Sequence, residues 1–280
     1  MRLRCVLLEF MLWGQVMCRW LSYVGDPVYL EKLVFEPRHS LVEQSLHAEQ
    51  AKTPTNGDGF GIGWYDERPT PGLYREILPA WNDPNLRSLA HHIKSGLFFA
   101  HVRASTGTHT SRTNCHPFAH DKYLFMHNGQ IGDYPLVRRS LENMIEDEFY
   151  AGRQGSTDSE LIFCLMLTLG LKEDPHRAIR RTIEVVENEM KLRGASAPFR
   201  FTACLSNGKS VCAIRHASDD KPPSLYWRKR DDHVIVVSEP LDAESDSWIA
   251  VAPNHTLHVC RDLNICEEPT LSATGCKGAA

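Results

Sequence analysis

The order of the predicted elements indicates an α+β fold. Short apolar runs of the kind that form strands fill the first half of the chain, helical patterns follow between residues 134 and 192, and strand patterns return from residue 200. Strand and helix do not alternate, as they would in a parallel βαβ series. We therefore expect one α+β unit in which strands from both ends of the chain flank a helical middle.

The first half of the chain carries mostly strand patterns. Residues 18–24 predict a strand that has Cys18 at its exposed end and stops at the turn signal Gly25-Asp26-Pro27. Glycines alternate at positions 57, 59, 61 and 63, but no phosphate-binding glycine motif is complete. They favour a strand that another backbone or a ligand approaches closely. Further patterns predict helices over residues 40–51 and 86–93, and strands over 73–78, 97–104 and 123–126.

The middle of the chain is helical, and the last third returns to strands. Helical spacing covers residues 134–149, a capping box of Thr157 and Glu160 starts the next helix, and residues 175–192 form another. Asp158 falls in the first turn after the capping box, where the helix dipole favours a carboxylate. Asn207-Gly208 predicts a hairpin between strands 201–205 and 211–215. Strands are also predicted over 225–227, 234–237, 248–251 and 257–260, followed by a flexible tail over 266–280.

Residues 1–17 have the pattern of a leader or of a mis-assigned start. Arg2 and Arg4 precede a short apolar stretch, as in a signal peptide, but Glu9 interrupts it and no small-residue cleavage site follows. The stretch is too short to span a bilayer as a helix. A wrongly chosen upstream start, a removed leader and a genuine extension all remain open, and the first two make Cys18 the first residue of the working protein.

Composition excludes several classes of function. The net charge is -4, and the longest basic cluster is Arg228-Lys229-Arg230, which argues against nucleic acid as the main partner. The nine cysteines are an odd number without a C-x-x-C pair. They predict reduced thiols in a cytoplasmic protein that neither spans nor binds a membrane.

Cys18 is the candidate nucleophile. If it is the first residue, it carries a thiol and a free α-amine on one carbon. A thiol titrates near ~8.5 and an α-amine near ~8, so the amine is a matched proton acceptor for its own side chain. A nucleophile with a built-in base needs no distant histidine.

Polar groups at the predicted strand and helix ends accompany Cys18 and together form a candidate binding site. Arg103 is a planar fork that can hold a carboxylate through two hydrogen bonds. Asp158 can hold an ammonium group, and the Asn128-Gly129 pair offers a side-chain amide and a backbone N–H in a turn, two donors suited to an oxyanion. An amino acid with an amide at its far end needs all of these groups. The set therefore matches glutamine or another γ-glutamyl compound.

Five motifs in this order resemble those of the class II glutamine amidotransferases, which are N-terminal-nucleophile hydrolases. They are Cys18-Arg19, residues 99–106 (FAHVRAST), residues 114–118 (NCHPF), His127-Asn128-Gly129 and residues 156–160 (STDSE). The resemblance implies a four-layer αββα sandwich of two antiparallel sheets, with the amidotransferase domain over residues 18–265. It implies that Cys18 forms a γ-glutamyl thioester, that Asn128 and Gly129 form the oxyanion hole, that Arg103 with Thr106 holds the α-carboxylate and that Asp158 holds the α-ammonium group.

Within this family, residues 56–61 (NGDGFG) and 79–82 (PAWN) most resemble the amidotransferase-like subunit of the fungal glutathione-degrading complex. That resemblance implies hydrolysis of glutathione, glutamine or a related γ-glutamyl compound, no cofactor, and a metallopeptidase-like partner subunit. The chain departs from the family by the residues before Cys18 and by Asn56, where many members have arginine.

Two other functions remain open. The chain could be a non-catalytic scaffold subunit that keeps the fold. The second alternative is a metal-dependent hydrolase, since five histidines lie between residues 101 and 127. Their spacing, however, matches neither H-E-x-x-H nor a Cys/His zinc pattern. We therefore expect no metal ligand among the site residues.

Overall fold

Two antiparallel sheets lie face to face and carry helices on their outer faces, which confirms the α+β prediction. A computed structural model describes residues 18–46, 56–105, 109–244 and 247–272. The predictions for residues 1–17, for the end of the helix over 40–51 and for the last eight residues lie outside the described residues. Among the residues described, no helix is both long and apolar enough to cross a membrane.

The first sheet has seven strands. They are β1 (Arg19–Tyr29), β2 (Phe60–Tyr65), β3 (Gly72–Glu76), β4 (Lys94–Val102), β9 (Tyr226–Lys229), β10 (His233–Val237) and β11 (Ile249–Ala250). Their order across the sheet is β11-β9-β10-β1-β4-β2-β3. The central strand β1 pairs antiparallel with β10 on one side and with β4 on the other. Strands from both ends of the chain therefore meet at β1.

The second sheet has six strands. They are β5 (Phe118–His120), β6 (Tyr123–Gln130), β7 (Arg200–Ser206), β8 (Ser210–Ala217), β12 (His255–Cys260) and β13 (Ile265–Pro269). Their order is β13-β12-β8-β7-β6-β5. The predicted hairpin is confirmed by the pairing of β7 with β8 around Asn207 and Gly208. Gly208 has a φ of 84°, a left-handed conformation that glycine adopts without strain.

The helices divide between the two outer faces. The described helices are α1 (Glu31–Val34), α2 (Leu41–Leu46), α3 (Pro84–His92), α4 (Tyr134–Glu142), α5 (Asp147–Ala151), α6 (Asp158–Thr168) and α7 (Pro175–Leu192), with short 3-10 turns at Ala80–Asn82 and Arg112–Asn114. The first three pack on the seven-stranded sheet, and the last four pack on the six-stranded sheet. A third apolar cluster, which includes Trp20, Phe99, Met126 and Leu257, fills the space between the sheets. The four layers are therefore helix, sheet, sheet and helix, as the resemblance implied.

The structure differs from the sequence predictions at several element ends. Strand β1 continues through the predicted turn to Tyr29, with an irregular register against β4 between Val24 and Val28. Strand β6 runs on to Gln130 because β7 pairs with it there, so Asn128 and Gly129 lie in a strand and not in a turn. The helix predicted over 134–149 is two helices, since the chain turns between Glu142 and Asp147.

Two predictions about the end of the chain and its cysteines are wrong in part. Strand β13 pairs with β12 as far as Pro269, and Thr270 is buried, so the ordered fold passes the boundary that we set at residue 265. This edge strand reads Ile-Cys-Glu-Glu-Pro and so carries no apolar alternation that would mark it in the sequence. The described cysteines are reduced at positions 18, 115, 164, 204, 212 and 260, whereas Cys266 is disulfide-bonded.

Candidate active site

The predicted site residues of the described part of the chain line one cavity of about 320 Å³. Cys18, Arg103, Asn128, Gly129 and Asp158 all contribute to its wall. They meet because β1 begins, β4 and β6 end, and α6 begins at the same side of the sandwich. Thr106, the other predicted binding residue, lies outside the described residues.

Cys18 is held at the start of β1 with its thiol toward the end of β4. The backbone N–H of Ala104 donates to the Cys18 sulfur at 3.4 Å. Burial raises the pKa of the thiol, against the opposing effects of the Ala104 N–H and the Arg103 charge. A thiol in this state stays protonated near neutral pH, so its attack on a substrate requires a base.

A buried ion pair that sequence analysis missed anchors Cys18 from behind. Arg19 donates from Nη1 to the Cys18 carbonyl at 3.2 Å and from Nε to Glu239 Oε2 at 2.6 Å. His39 Nε2 lies 2.8 Å from Glu239 Oε1. Burial opposes ionisation of Glu239, but the bond from His39 and the charge of Arg19 outweigh it and lower its pKa. Glu239 is 220 positions from Arg19, and no sequence signal marks it.

Arg103 is a buried residue whose guanidinium is fixed by its neighbours. Nη1 donates to the Asp58 carbonyl at 3.2 Å, and Nη2 donates to Ser105 Oγ at 3.1 Å. The Asp58 carboxylate accepts from the Ser105 backbone N–H at 2.7 Å. The Arg103 N–H also donates to the Gly59 carbonyl at 2.8 Å. The glycine-rich segment before β2 therefore sets the direction in which Arg103 faces the cavity.

Asn128 and Gly129 lie at the end of β6. The Nδ2 amide of Asn128 is buried and has no hydrogen-bond partner in the described part of the chain. An unpaired buried donor is unfavourable unless a ligand accepts from it. A Cβ on Gly129 would lie 2.0 Å from the Arg200 carbonyl oxygen, so no other residue can occupy this backbone position without moving β7.

Asp158 is the first residue of α6. Thr157 caps the helix, since its hydroxyl accepts from the Glu160 N–H at 3.1 Å, which confirms the predicted helix start. Asp158 Oδ2 accepts from the Ile131 N–H at 2.9 Å, and the Ser159 hydroxyl lies 3.3 Å from Oδ1. One carboxylate oxygen is thus fixed by backbone just beyond β6.

The protonation state of His127 determines which neighbouring acceptor takes the hydrogen bond of the Ser159 hydroxyl. Burial lowers the pKa of His127, so its ring is neutral. Its Nε2 lies 3.1 Å from the Arg200 carbonyl, which can only accept, so Nε2 carries the proton. Nδ1 then accepts from Ser159 Oγ at 2.9 Å. The single Ser159 proton is committed to His127, which leaves Oδ1 of Asp158 available to a ligand.

Two further histidines stack beside the cavity. The rings of His101 and His116 have centroids 4.3 Å apart, and His116 lines the cavity. Burial lowers the pKa of His101 to about 3 and that of His116 as well. None of their four ring nitrogens makes an aligned hydrogen bond with a described residue. Within the described ranges, no trio of possible metal ligands includes any histidine between residues 101 and 127, so their arrangement does not favour the metal-dependent hydrolase.

Sequence comparisons show that the chain is similar to the class-II glutamine amidotransferases. A family model described as class-II glutamine amidotransferases matches residues 36–222. The chain is similar to "Probable glutamine amidotransferase DUG3" of Saccharomyces cerevisiae, with 35% identity covering 87% of this chain and 82% of that protein. It is also similar to a γ-glutamyl-hercynylcysteine sulfoxide hydrolase of Mycolicibacterium smegmatis, with 27% identity covering 90% of this chain and 100% of that protein.

Solved structures agree with the architecture. A glutamine aminotransferase class-II domain protein from Silicibacter pomeroyi is 37% identical, has a TM-score of 0.71, and is matched over 90% of this chain and 99% of its own. Glutamine phosphoribosylpyrophosphate amidotransferase from B. subtilis has a TM-score of 0.60 at 16% identity, over 92% of this chain and 50% of its own. The second likeness shows the shared fold alone.

Proposed function

The chain belongs to the class-II glutamine amidotransferase family and is an enzyme of that family, and on that basis we propose that it hydrolyses a γ-glutamyl amide through a thioester on Cys18. One observation carries the proposal. The thiol of Cys18 and the unpartnered Nδ2 of Asn128 line the same cavity as the guanidinium of Arg103 and the carboxylate of Asp158. The cavity thus combines a nucleophile and an oxyanion donor with one positively charged and one negatively charged side chain.

The substrate binds by its amino-acid end. Arg103 pairs with the α-carboxylate, and Oδ1 of Asp158 accepts from the α-ammonium group, since its other oxygen is held by Ile131. Charge-assisted hydrogen bonds of this kind contribute about 1.5–3 kcal/mol each. They orient the γ-carbonyl carbon toward the sulfur of Cys18.

Acylation forms a carbon–sulfur bond and breaks a carbon–nitrogen bond. The α-amine of Cys18 takes the thiol proton, and the sulfur attacks the γ-carbonyl. The oxyanion accepts from Asn128 Nδ2 and from the Gly129 N–H, an interaction whose loss in comparable sites slows turnover by about 10²–10³-fold. The proton on the amine passes to the leaving nitrogen as the tetrahedral intermediate collapses.

Deacylation regenerates the thiol. The α-amine accepts a proton from water, whose oxygen attacks the thioester carbon, and the sulfur leaves and recovers the proton. The products are glutamate and the amine or ammonia of the donor. The raised pKa of Cys18 supports the need for this base, and a peptide bond to Met17 would remove it. The working protein therefore starts at Cys18.

The donor is a small γ-glutamyl compound, of which glutathione is our first candidate. The similarity to the γ-glutamyl-hercynylcysteine sulfoxide hydrolase of Mycolicibacterium smegmatis supports this class of substrate. The motif resemblance to the fungal glutathione-degrading subunit also makes a metallopeptidase-like protein the partner to test. Glutamate release from glutathione and from glutamine, measured with and without that partner, ranks the donors and tests the need for a complex.

Labelling with a glutamine-like electrophile tests the nucleophile. Intact mass should increase by one adduct in the native protein and in Cys260→Ala, but not in Cys18→Ala. Cys260 is the matched control because it is the other reduced, partly exposed cysteine among those described. N-terminal mass spectrometry of active native protein should find Cys18 first. An adduct that persists in Cys18→Ala, or active protein that retains Met1, would refute the proposal, and retained Met1 would favour the scaffold function.

A further inference from the structure

A second cluster of chemically active side chains lies away from the cavity. His176 is the second residue of α7, His258 lies on β12 and Glu268 lies on the edge strand β13. None of the three lines the candidate active site. Their side chains are mostly buried, with exposed fractions of 18%, 9% and 12%. Burial of three ionisable groups together needs either mutual pairing or a ligand.

The ligand atoms converge on one point. Nε2 of His176 lies 2.9 Å from Oε1 of Glu268, and Nε2 of His258 lies 3.2 Å from the same oxygen. All three atoms are within 4.8 Å of one another. Ligands at about 2.0–2.1 Å from a tetrahedral zinc ion are separated by roughly 3.3 Å from each other. The two histidine–glutamate separations are therefore close to the edges of a metal tetrahedron.

Simple ion pairing leaves one nitrogen unexplained. His258 Nε2 forms a hydrogen bond with Glu268. His176 Nε2 is as near to that oxygen, but it is a buried nitrogen for which no aligned hydrogen bond is found in the described part of the chain. The pair of His216 and Glu187 shows the ordinary alternative, an aligned hydrogen bond of 2.8 Å between a histidine and a glutamate. The misaligned nitrogen of His176 points to a ligand other than Glu268.

We propose that His176, His258 and Glu268 bind a divalent metal ion of the zinc class. Two imidazoles and one carboxylate are a common ligand set for zinc, and water takes the fourth position. The ion joins the start of α7 to the last two strands of the second sheet, and so fixes the edge strand β13. The site is separate from the proposed amide hydrolysis, since none of its three residues lines that cavity. It lies outside the candidate active site, among whose residues we expect no metal ligand.

Metal binding to the full chain tests the site directly. The protein is stripped with a chelator and titrated with Zn²⁺ and with Co²⁺ alone. We expect about one equivalent to bind, and a cobalt spectrum with visible d–d bands but without the charge-transfer absorption that a thiolate ligand produces. Zn²⁺ should also raise the melting temperature, because it binds the folded state.

Three variants test whether the ion binds at this cluster, and a fourth controls for the loss of a histidine–glutamate pair elsewhere. His176→Ala, His258→Gln and Glu268→Gln should each weaken binding at least as much as the roughly 10–100-fold that loss of an outer-shell group causes. His216→Gln removes a comparable histidine–glutamate pair and should bind the metal as the native protein does. If His258→Gln does not fold, His176→Ala, on the more exposed helix end, still decides.

Several results would overturn the proposal. Less than one equivalent bound when metal and protein are present at similar concentrations, or equal binding by the native chain and all three variants, would show that the cluster is an ion-paired group without a metal. A cobalt spectrum dominated by thiolate charge transfer would assign the metal to cysteines instead. Each outcome is separable from the proposed hydrolysis, since none depends on turnover.

Discussion

Individual residues of the cavity differ in how far their hydrogen-bonding capacity is already used. Asp133 and Asp158 both line the cavity, but Oδ2 of Asp133 accepts from the backbone N–H groups of Ser196 and Ala197 at 2.7 and 2.9 Å. These bonds lower the pKa of Asp133 and fix it as a loop support. Oδ1 of Asp158 remains available to a ligand because the Ser159 hydroxyl donates its hydrogen bond to His127 instead. We therefore keep Asp158 as the proposed ammonium site.

Arg103 gives the sharpest prediction at this scale. Arg103→Lys keeps the charge but loses the planar fork, and a lysine cannot hold both carboxylate oxygens in that geometry. We expect KM to rise by about 10- to 100-fold, equivalent to roughly 1.5–3 kcal/mol for a charge-assisted bond, with a much smaller change in kcat. Arg138→Lys, on an exposed i,i+4 pair with Glu142, is the control and should leave KM unchanged. Equal KM values in all three proteins would contradict the carboxylate role.

Strand β2 lies in close contact with the loop that carries His116. A Cβ on Gly61 would lie 2.2 Å from the His116 carbonyl oxygen, and a Cβ on Gly63 would lie 2.9 Å from the Pro117 ring. The alternating glycines therefore admit another backbone, as the sequence predicted. The loop that they admit places His116 in the cavity wall, so β2 shapes the site without contributing a reactive group.

Gly61→Ala tests this contact. The added methyl group meets backbone, which cannot rotate away, so we expect a loss of about 1–3 kcal/mol in the free energy of unfolding, as for other overpacked sites. Urea denaturation measures it. Gly152→Ala is the control, because its Cβ would meet nothing closer than 3.6 Å and should change stability by less than about 1 kcal/mol. Equal stability of the two variants would mean that β2 and the 115–117 loop are not in close contact.

The whole molecule buries several histidines in neutral form, and this links its stability to pH. Burial lowers the pKa of His101, His116 and His127, so the unfolded chain binds more protons than the native state below the ordinary histidine value of about 6.5. The free energy of unfolding that these neutral histidines contribute is therefore present above about pH 6.5 and decreases as the pH falls below that value. Part of the acid sensitivity of the fold therefore comes from histidines beside the candidate active site.

Acid titration of stability provides the test. Between pH 6.5 and about 4, the free energy of unfolding should decrease by up to about 1.4 kcal/mol per pH unit for each histidine that stays neutral. His101→Gln should reduce that slope by about one such increment, since the pKa of His101 falls to about 3. His92→Gln, at an exposed position, should leave the slope unchanged. Parallel slopes in all three proteins would show that His101 titrates normally.

The sequence by itself determined the element types and pointed to the candidate reactive groups. Periodicity and turn signals are local properties, so the long helix α7, the β7–β8 hairpin and the cap at Thr157 could be predicted directly. The residue chemistry of Cys18, Arg103, Asn128 and Asp158 was enough to predict a γ-glutamyl site. Strand β5 and strand β13 were missed because neither carries an apolar pattern of its own.

Only the tertiary structure decided how those groups are supported. The Arg19–Glu239 pair joins residues from opposite ends of the chain, and no local pattern encodes a contact of that separation. The commitment of the Ser159 proton to His127, and the meeting of His176, His258 and Glu268, likewise depend on which strands lie side by side. Strand pairing is a long-range property set by burial of the common core, so these contacts exist only after the sheets have formed.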